Sequence, residues 1–220
     1  MRLHLNTTAN NDLIPFNYQQ KLVGVLHKWL GEDNDEHGEI SLYSFSWLKD
    51  TKKNDNGLIC PSGAKWFISF FDEEKVRMIL KSIREDPEMF SGLFVTDVII
   101  EETPNLSQRD LFYAGSPILV KRKDEKGLHE YGFNDVEANT QMVETLRNKM
   151  IKAGLEPDDS LEIKFDLTFE KKRQKLMWYK NISNLANVCP VIIKGKESTK
   201  QFAWNVGVGN CTGIGFGSIY

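Results

Sequence analysis

The sequence predicts an α+β protein made of two tandem units, each running β-α-β-β-α-β. Three observations lead there. Apolar residues recur at helical spacing in three segments. Between them lie short apolar and β-branched runs bounded by polar turns. In the first hundred residues these segments follow one another in β-α-β-β-α-β order, and a looser copy follows a polar stretch holding Pro104. This split βαβ order is ferredoxin-like, the topology that RNA-recognition domains also use.

The first unit opens with a strand over residues 2–6. A helix follows over about 17–30, where Leu22, Val25, Leu26, Trp29 and Leu30 fall at i, i+3, i+4, i+7 and i+8. The acidic stretch 31–39 ends it. Residues 42–48 and 65–71 read as strands separated by the polar turn 52–63. Asp72, followed by Glu73 and Glu74, is an N-cap for a second helix whose Val76, Ile79, Leu80 and Ile83 share a face. Pro87 marks its end, and residues 93–100 form a β-branched strand.

Residues 102–115 read as a linker, which sets the units at 1–103 and 116–220. In the second unit, 116–123 and 161–169 are strand candidates and 135–153 a helix with Val143, Leu146 and Met150 in register. Residues 171–181 are basic and aromatic, and 191–193 and 202–208 are further strand candidates before a Gly-rich end.

Bulk composition excludes several classes. No apolar run approaches the roughly 18 residues of a membrane span, so no membrane partner is expected. The N-terminus holds no apolar stretch of signal-peptide length, and three cysteines at scattered spacing fit a reducing cytoplasm better than a disulfide framework. Paired CxxC or HxxxH spacing is absent, so no metal is expected, and no cofactor motif survives inspection. The net charge is −3. It divides unevenly: residues 1–115 carry 12 Lys+Arg against 18 Asp+Glu, a balance of −6, which leaves the remainder at +3. Phosphate binding follows the local field, so a basic C-terminal face is compatible with an acidic total.

The sharpest feature is the last 14 residues, with Gly207, Gly209, Gly213, Gly215 and Gly217. A dinucleotide fingerprint must open a helix and be followed by an acidic residue about 20 positions on. Only seven residues follow Gly213, and no Lys-Ser/Thr pair ends the run as a P-loop requires. Two readings remain. Glycines leave backbone N–H groups unshielded for phosphate oxygens, or they serve a tight structural turn.

Gly207-Val208-Gly209, five residues, then Gly215-Phe216-Gly217 resembles the C-terminal signature of the CRISPR-associated RAMP superfamily, as placed in its pre-crRNA-processing endoribonucleases. Ile14-Pro15-Phe16-Asn17-Tyr18 is similar to the entry of that family's first helix, and Ser116-Pro117-Ile118 to the opening of its second domain. The resemblance implies two ferredoxin-like domains side by side, with the Gly-rich loop beside their cleft helping to hold RNA. It implies CRISPR repeat RNA as the partner, and is compatible with a homodimer or with subunits of a CRISPR effector complex.

Metal-free RNA cleavage needs a base for the 2′-OH proton, an acid for the departing 5′-oxygen and positive charge around the phosphorane. Histidine suits both proton roles. His27 lies about 140° around the helix from Leu22, off the apolar stripe. His37 sits in the loop after the helix. By themselves they read as an exposed helix residue and a polar loop residue. The resemblance implies a catalytic histidine where His37 lies and a partner His or Tyr where His27 falls. Some family members carry a lysine shortly after the loop histidine. Here that stretch is Glu39-Ile40-Ser41-Leu42-Tyr43, which has none. Ser41 or Tyr43 would donate a hydrogen bond instead, with Lys28 or Lys49 as sources of charge.

Lys171, Lys172, Arg173, Lys175 and Lys180 surround Trp178 and Tyr179, combining cations for phosphates with rings on which bases can stack. A solvated charged hairpin is the competing reading. In the family this region binds repeat RNA, and the resemblance implies the same here. The activity expected is metal-independent cleavage of precursor CRISPR RNA. A non-catalytic RNA-binding subunit is the alternative, and an unrelated ferredoxin-like interaction protein the third.

Overall fold

Strict alternation in the first strand, β1 (Arg2–Thr7), sends Leu3 and Leu5 to one face and Arg2, His4 and Asn6 to the other. The computed structural model describes residues 1–31, 40–125 and 127–220. Leu3 and Leu5 meet helix α1 (Gln19–Leu30), whose Leu22, Val25, Leu26, Trp29 and Leu30 are all buried, as the spacing predicts. The chain continues through β2 (Tyr43–Phe45), β3 (Lys52–Asn54), β4 (Gly57–Ile59), β5 (Lys65–Phe70), α2 (Glu73–Glu85) and β6 (Val95–Glu101). Asp72 caps α2, its side chain accepting from the Glu74 amide at 2.9 Å. The sheet order is β2-β5-β1-β6, antiparallel throughout, which is the ferredoxin-like order. Residues 52–63, read as a plain turn, contain the β3–β4 hairpin.

The second unit comprises β7 (Leu111–Phe112), β8 (Lys121–Asp124), β9 (Gly127–Glu130), α3 (Val136–Lys152), β10 (Glu162–Phe165), β11 (Arg173–Tyr179), β12 (Ile182–Val188), β13 (Val191–Lys194) and α4 (Glu197–Val206). One sheet runs β10-β13-β7. The last residues of the chain continue it. Tyr113 and Tyr220 exchange backbone hydrogen bonds of 2.9 Å, and Ala114 bridges Ile219. The neighbour order of the first unit is thereby repeated, with the C-terminal segment in the place of the fourth strand. No helix among the described residues is long and apolar enough to cross a membrane.

Three sequence readings need correction. The strand expected over 202–208 is helix α4, continuing only to Val206. Phe202, Trp204 and Val206 mimic strand alternation. The helix is buried on nearly every side, Phe202 through Val206 without a break, so no polar face marks its period. Strand pairing expected over 116–123 reduces to bridges at Ile118 and Leu119, with β8 starting only at Lys121. Strand β7 lies within residues 102–115, the stretch read as linker.

Helix α4 is held at its start by Asp158. That carboxylate accepts from the Lys196 amide and the Thr199 hydroxyl, both at 2.8 Å, and from the Ser160 amide at 3.0 Å and hydroxyl at 2.7 Å. Burial alone would raise its pKa, but the Ser160, Lys196 and Thr199 hydrogen bonds outweigh burial and bring it down to about 2.

The two units meet where the polar face of the first sheet turns toward α4 and the chain end. Buried Arg2 donates to the Trp204 carbonyl at 3.1 Å, the Ile219 carbonyl at 2.7 Å and the Ser69 hydroxyl at 2.7 Å. Its guanidinium lies 3.6 Å from the centroid of a Trp204 ring and 4.0 Å from that of Phe67. Beyond α4 the Gly-rich segment threads this junction. Gly217 has φ +66, and a Cβ there would lie 1.9 Å from the Val208 carbonyl oxygen. At Gly213 it would lie 2.1 Å from the Ser41 hydroxyl oxygen.

Two stability changes follow. Asp158→Asn is expected to cost about 2 kcal/mol, the value of lowering a carboxyl pKa from its ordinary range to about 2. In the wild type that contribution is present above pH ~4 and lost as pH falls through about 2. Urea melts at pH 7 and pH 2 should therefore converge for the two proteins at the lower pH. Gly217→Ala should destabilise by about 2–4 kcal/mol, from left-handed strain plus the clash. Gly154→Ala, at φ +73 with open space around it, should cost only ~1–2 kcal/mol. At roughly 2–4 °C per kcal/mol, thermal melts will separate the two.

Candidate nucleic-acid interface

Helix α1, strand β2 and the Gly-rich segment converge because the segment can come closer than any chain with side chains. The Gln19 side chain, at the start of α1, donates to the Ile214 carbonyl. Tyr43 of β2 donates its hydroxyl to the Gly213 carbonyl at 3.2 Å. A short 3-10 turn (Thr212–Ile214) lies between, entered through Cys211 in the left-handed region at φ +61.

The residues named from sequence divide into three groups. His37 lies outside the described residues. His27 is half-buried, eight residues and about 12 Å along α1 from Gln19. Ser41 is half-buried and hydrogen-bonds Tyr43, whose own hydroxyl is pushed up to about 12 by burial, against the pull of Ser41. Tyr43 is 1% exposed, so its hydroxyl serves the docking of the Gly-rich segment. Lys28 pairs with Asp86 at 2.8 Å, and Lys49 sits 3.7 Å over the Tyr220 ring.

Gly207, Gly209, Gly213, Gly215 and Gly217 are all buried. Their neighbours are other parts of the chain. A Cβ on Gly207 would meet the Gly217 carbonyl at 2.6 Å, on Gly209 the Leu119 carbonyl at 2.4 Å, and on Gly215 the Phe45 ring at 2.8 Å. Close packing therefore accounts for glycine at each of these positions.

The basic stretch forms a ribbon, β11 paired with β12 in register from Arg173↔Val188 to Tyr179↔Ile182. Lys180 turns it at φ +53. One face leans on the body: Met177 packs with Leu119 and Phe216, and Lys175 lies 4.4 Å over the Trp47 ring of the first unit. The other face exposes Leu176 and Trp178. Lys171, Arg173 and Lys180 are exposed, while Lys172 is half-buried and donates to the Phe169 carbonyl at 3.3 Å. An exposed ring bordered by exposed cations has the chemistry of a single-stranded RNA platform.

Sequence reasoning missed Lys149. On α3 it sits three residues after Leu146 and one before Met150, in the buried register, and is only 3% exposed. Its ammonium donates to the Val206 carbonyl at 3.0 Å, the Thr212 hydroxyl at 2.9 Å and, at 3.5 Å, the Gly207 carbonyl. It thus ties α3 to the end of α4 and to the Gly-rich segment. Burial brings its pKa down to about 7. A lysine inside an apolar helical stripe was the available signal.

No curated protein sequence matches this chain. Solved structures share its fold along nearly their whole length, three of them as follows. One, named CRISPR associated protein Cas6, is 20% identical with a TM-score of 0.82, covering 100% of this chain and 98% of its own. A Cas6-related protein from Pyrococcus furiosus is 19% identical with a TM-score of 0.83, covering 100% and 97%. A RAMP protein described as binding different RNA substrates is 19% identical with a TM-score of 0.85, covering 100% and 98%. The family model described as CRISPR associated protein Cas6, C-terminal, matches residues 101–220, more than half of the sequence and the whole of the second unit. The chain belongs to the Cas6 family of CRISPR-associated proteins.

Proposed function

We propose that this protein is a metal-independent endoribonuclease that cuts precursor CRISPR RNA within its repeats. A base removes the 2′-OH proton, the 2′-oxygen attacks the adjacent phosphorus, and the 5′-oxygen leaves with a proton from the acid. The products are a 2′,3′-cyclic phosphate and a 5′-OH. His37 and His27 are the proposed proton-transfer pair. Residues 1–103 form the histidine-bearing unit, and residues 116–220 grip the repeat through the β11–β12 ribbon. The observation that carries the reading is the family match, which covers the ribbon and the Gly-rich segment together. The docking of that segment on α1 and β2 supports it, since it ties the RNA-gripping unit to the elements that bracket His37 in sequence. A homodimer, assembly with effector-complex subunits and a cytoplasmic location belong to the same proposal.

A second reading, a non-catalytic RNA-binding subunit, is favoured by one observation. Tyr43 is buried and committed to packing, which removes it as a proton donor to RNA.

Cleavage of the cognate repeat RNA in EDTA separates the two. Wild type should cut at one site. His37→Ala or His27→Ala should slow the single-turnover rate by about 10²–10⁴-fold, and a 2′-deoxy sugar before the scissile phosphate should abolish cutting. Tight binding without cutting by the wild type would leave only the second reading. Either reading requires the ribbon. Lys171→Ala combined with Arg173→Ala should weaken repeat binding and reduce the slope of log affinity against log salt by about 1.4, at ~0.7 per lost contact to single-stranded RNA.

A further inference from the structure

A cavity of about 340 Å³ opens between α3 and the Gly-rich segment, lined among others by Ser41, Lys121, Asn148, Lys149, Asn210 and Thr212. That volume is many times the roughly 30 Å³ share of one water molecule. Among the described residues no carboxylate lines it. Its wall includes Lys149, a nine-tenths-buried cation whose three acceptors are all uncharged: two backbone carbonyls and a hydroxyl. The carbonyls belong to the end of α4, so the negative end of that helix dipole offsets the charge in part. No carboxylate pairs with Lys149 among the described residues; the Cys211 side chain in the same wall supports its charge but does not outweigh burial, and a buried cation so weakly countered favours an anion beside it. Lys121 adds a second positive side chain to the same wall, and Ser41, Asn148 and Thr212 add hydroxyl and amide groups suited to phosphate oxygens.

We propose that this cavity is a phosphate subsite, in which Lys149 and Lys121 supply the positive charge that residues 39–43 lack. Its assignment to a backbone phosphate of RNA rests on the reading above, whereas its affinity for the phosphate group does not. The cavity reaches Ser41, the residue at which the chain comes back from the segment following α1 toward β2. A phosphate held there touches both units at once. Lys149, whose three N–H groups already donate to Val206, Gly207 and Thr212, then acts on the phosphate through its charge and positions the Gly-rich segment through Thr212.

The test is a titration with inorganic phosphate, following lysine side chains by NMR in the wild type, Lys149→Met, Lys149→Arg and Lys121→Gln. Phosphate should raise the Lys149 pKa in the wild type. Its binding should be lost in Lys149→Met, weakened at least threefold in Lys121→Gln and retained in Lys149→Arg. Non-cleavable 2′-deoxy repeat RNA should bind Lys149→Met about tenfold more weakly, with a salt slope lower by ~0.7. If Lys149→Met fails to fold, Lys121→Gln decides the matter, because it leaves all three Lys149 hydrogen bonds in place. Phosphate that leaves Lys149 and Lys121 unperturbed would overturn the subsite, even with RNA cleavage intact. Phosphate binding at these lysines in a protein that neither binds nor cuts repeat RNA would uphold the subsite and sink the RNA reading alone.

Discussion

The close approach of one glycine-rich length of chain to the backbone and side chains around it governs this molecule. Between Val206 and Ile219 the chain leaves α4, passes the Leu119 carbonyl, turns against Ser41 and Phe45, and returns past Val208 to pair with residues 113–115. At Gly209, Gly213 and Gly217 a methyl group would fall within 2.4 Å of an oxygen atom. At Gly209 and Gly217 that oxygen is a backbone carbonyl, which no side-chain rearrangement can relieve, whereas at Gly213 it is the Ser41 hydroxyl. The final strand of the second sheet, the seat of α4 and the contact with β2 all depend on this passage.

Buried cations are the second theme. Arg2 and Lys149 each lose most of their hydration, and each is satisfied chiefly by carbonyl and hydroxyl oxygens. Burial lowers the Arg2 pKa to about 9, against the opposing pull of Glu101. Both side chains connect elements distant in sequence: Arg2 joins the first strand to Trp204 and Ile219, and Lys149 joins α3 to Thr212. Hydrogen bonds from a charged donor are short and directional. They fix where α4 and the Gly-rich segment sit more sharply than apolar contact alone would. The acidic total of the chain conceals this, because these charges lie inside it and not on a basic surface.

The candidate site shows how packing and recognition share residues. The ribbon β11–β12 presents Leu176 and Trp178 outward while Lys175 and Met177 secure its other face to Trp47 and to Phe216. Alternation within one strand divides the two tasks. The same economy holds at β2, where Tyr43 belongs to the core and its hydroxyl to the Gly-rich segment. Of the groups proposed from sequence for chemistry or RNA contact, His27 is half-buried on α1, and Tyr43 and the five glycines have packing partners that account for them.

Local pattern was enough for α1, whose five stripe residues are all buried, for α2 with its Asp72 cap, and for the four strands of the first sheet in order. The terminal glycine spacing was enough to point to the family, which the match over 101–220 bears out. Local pattern failed at α4, because a helix buried on nearly every side carries no clear period of polar and apolar residues. It also missed Asp158 and Lys149, since a charged residue reads as surface until the fold supplies the donors or acceptors that let it be buried. The sequence by itself determined α1, α2, α3 and the four strands of the first sheet, together with the glycine spacing at the end. Only the tertiary structure decided what those glycines approach and which charges are enclosed. Those are distances between residues up to about two hundred positions apart, and no local spacing encodes them.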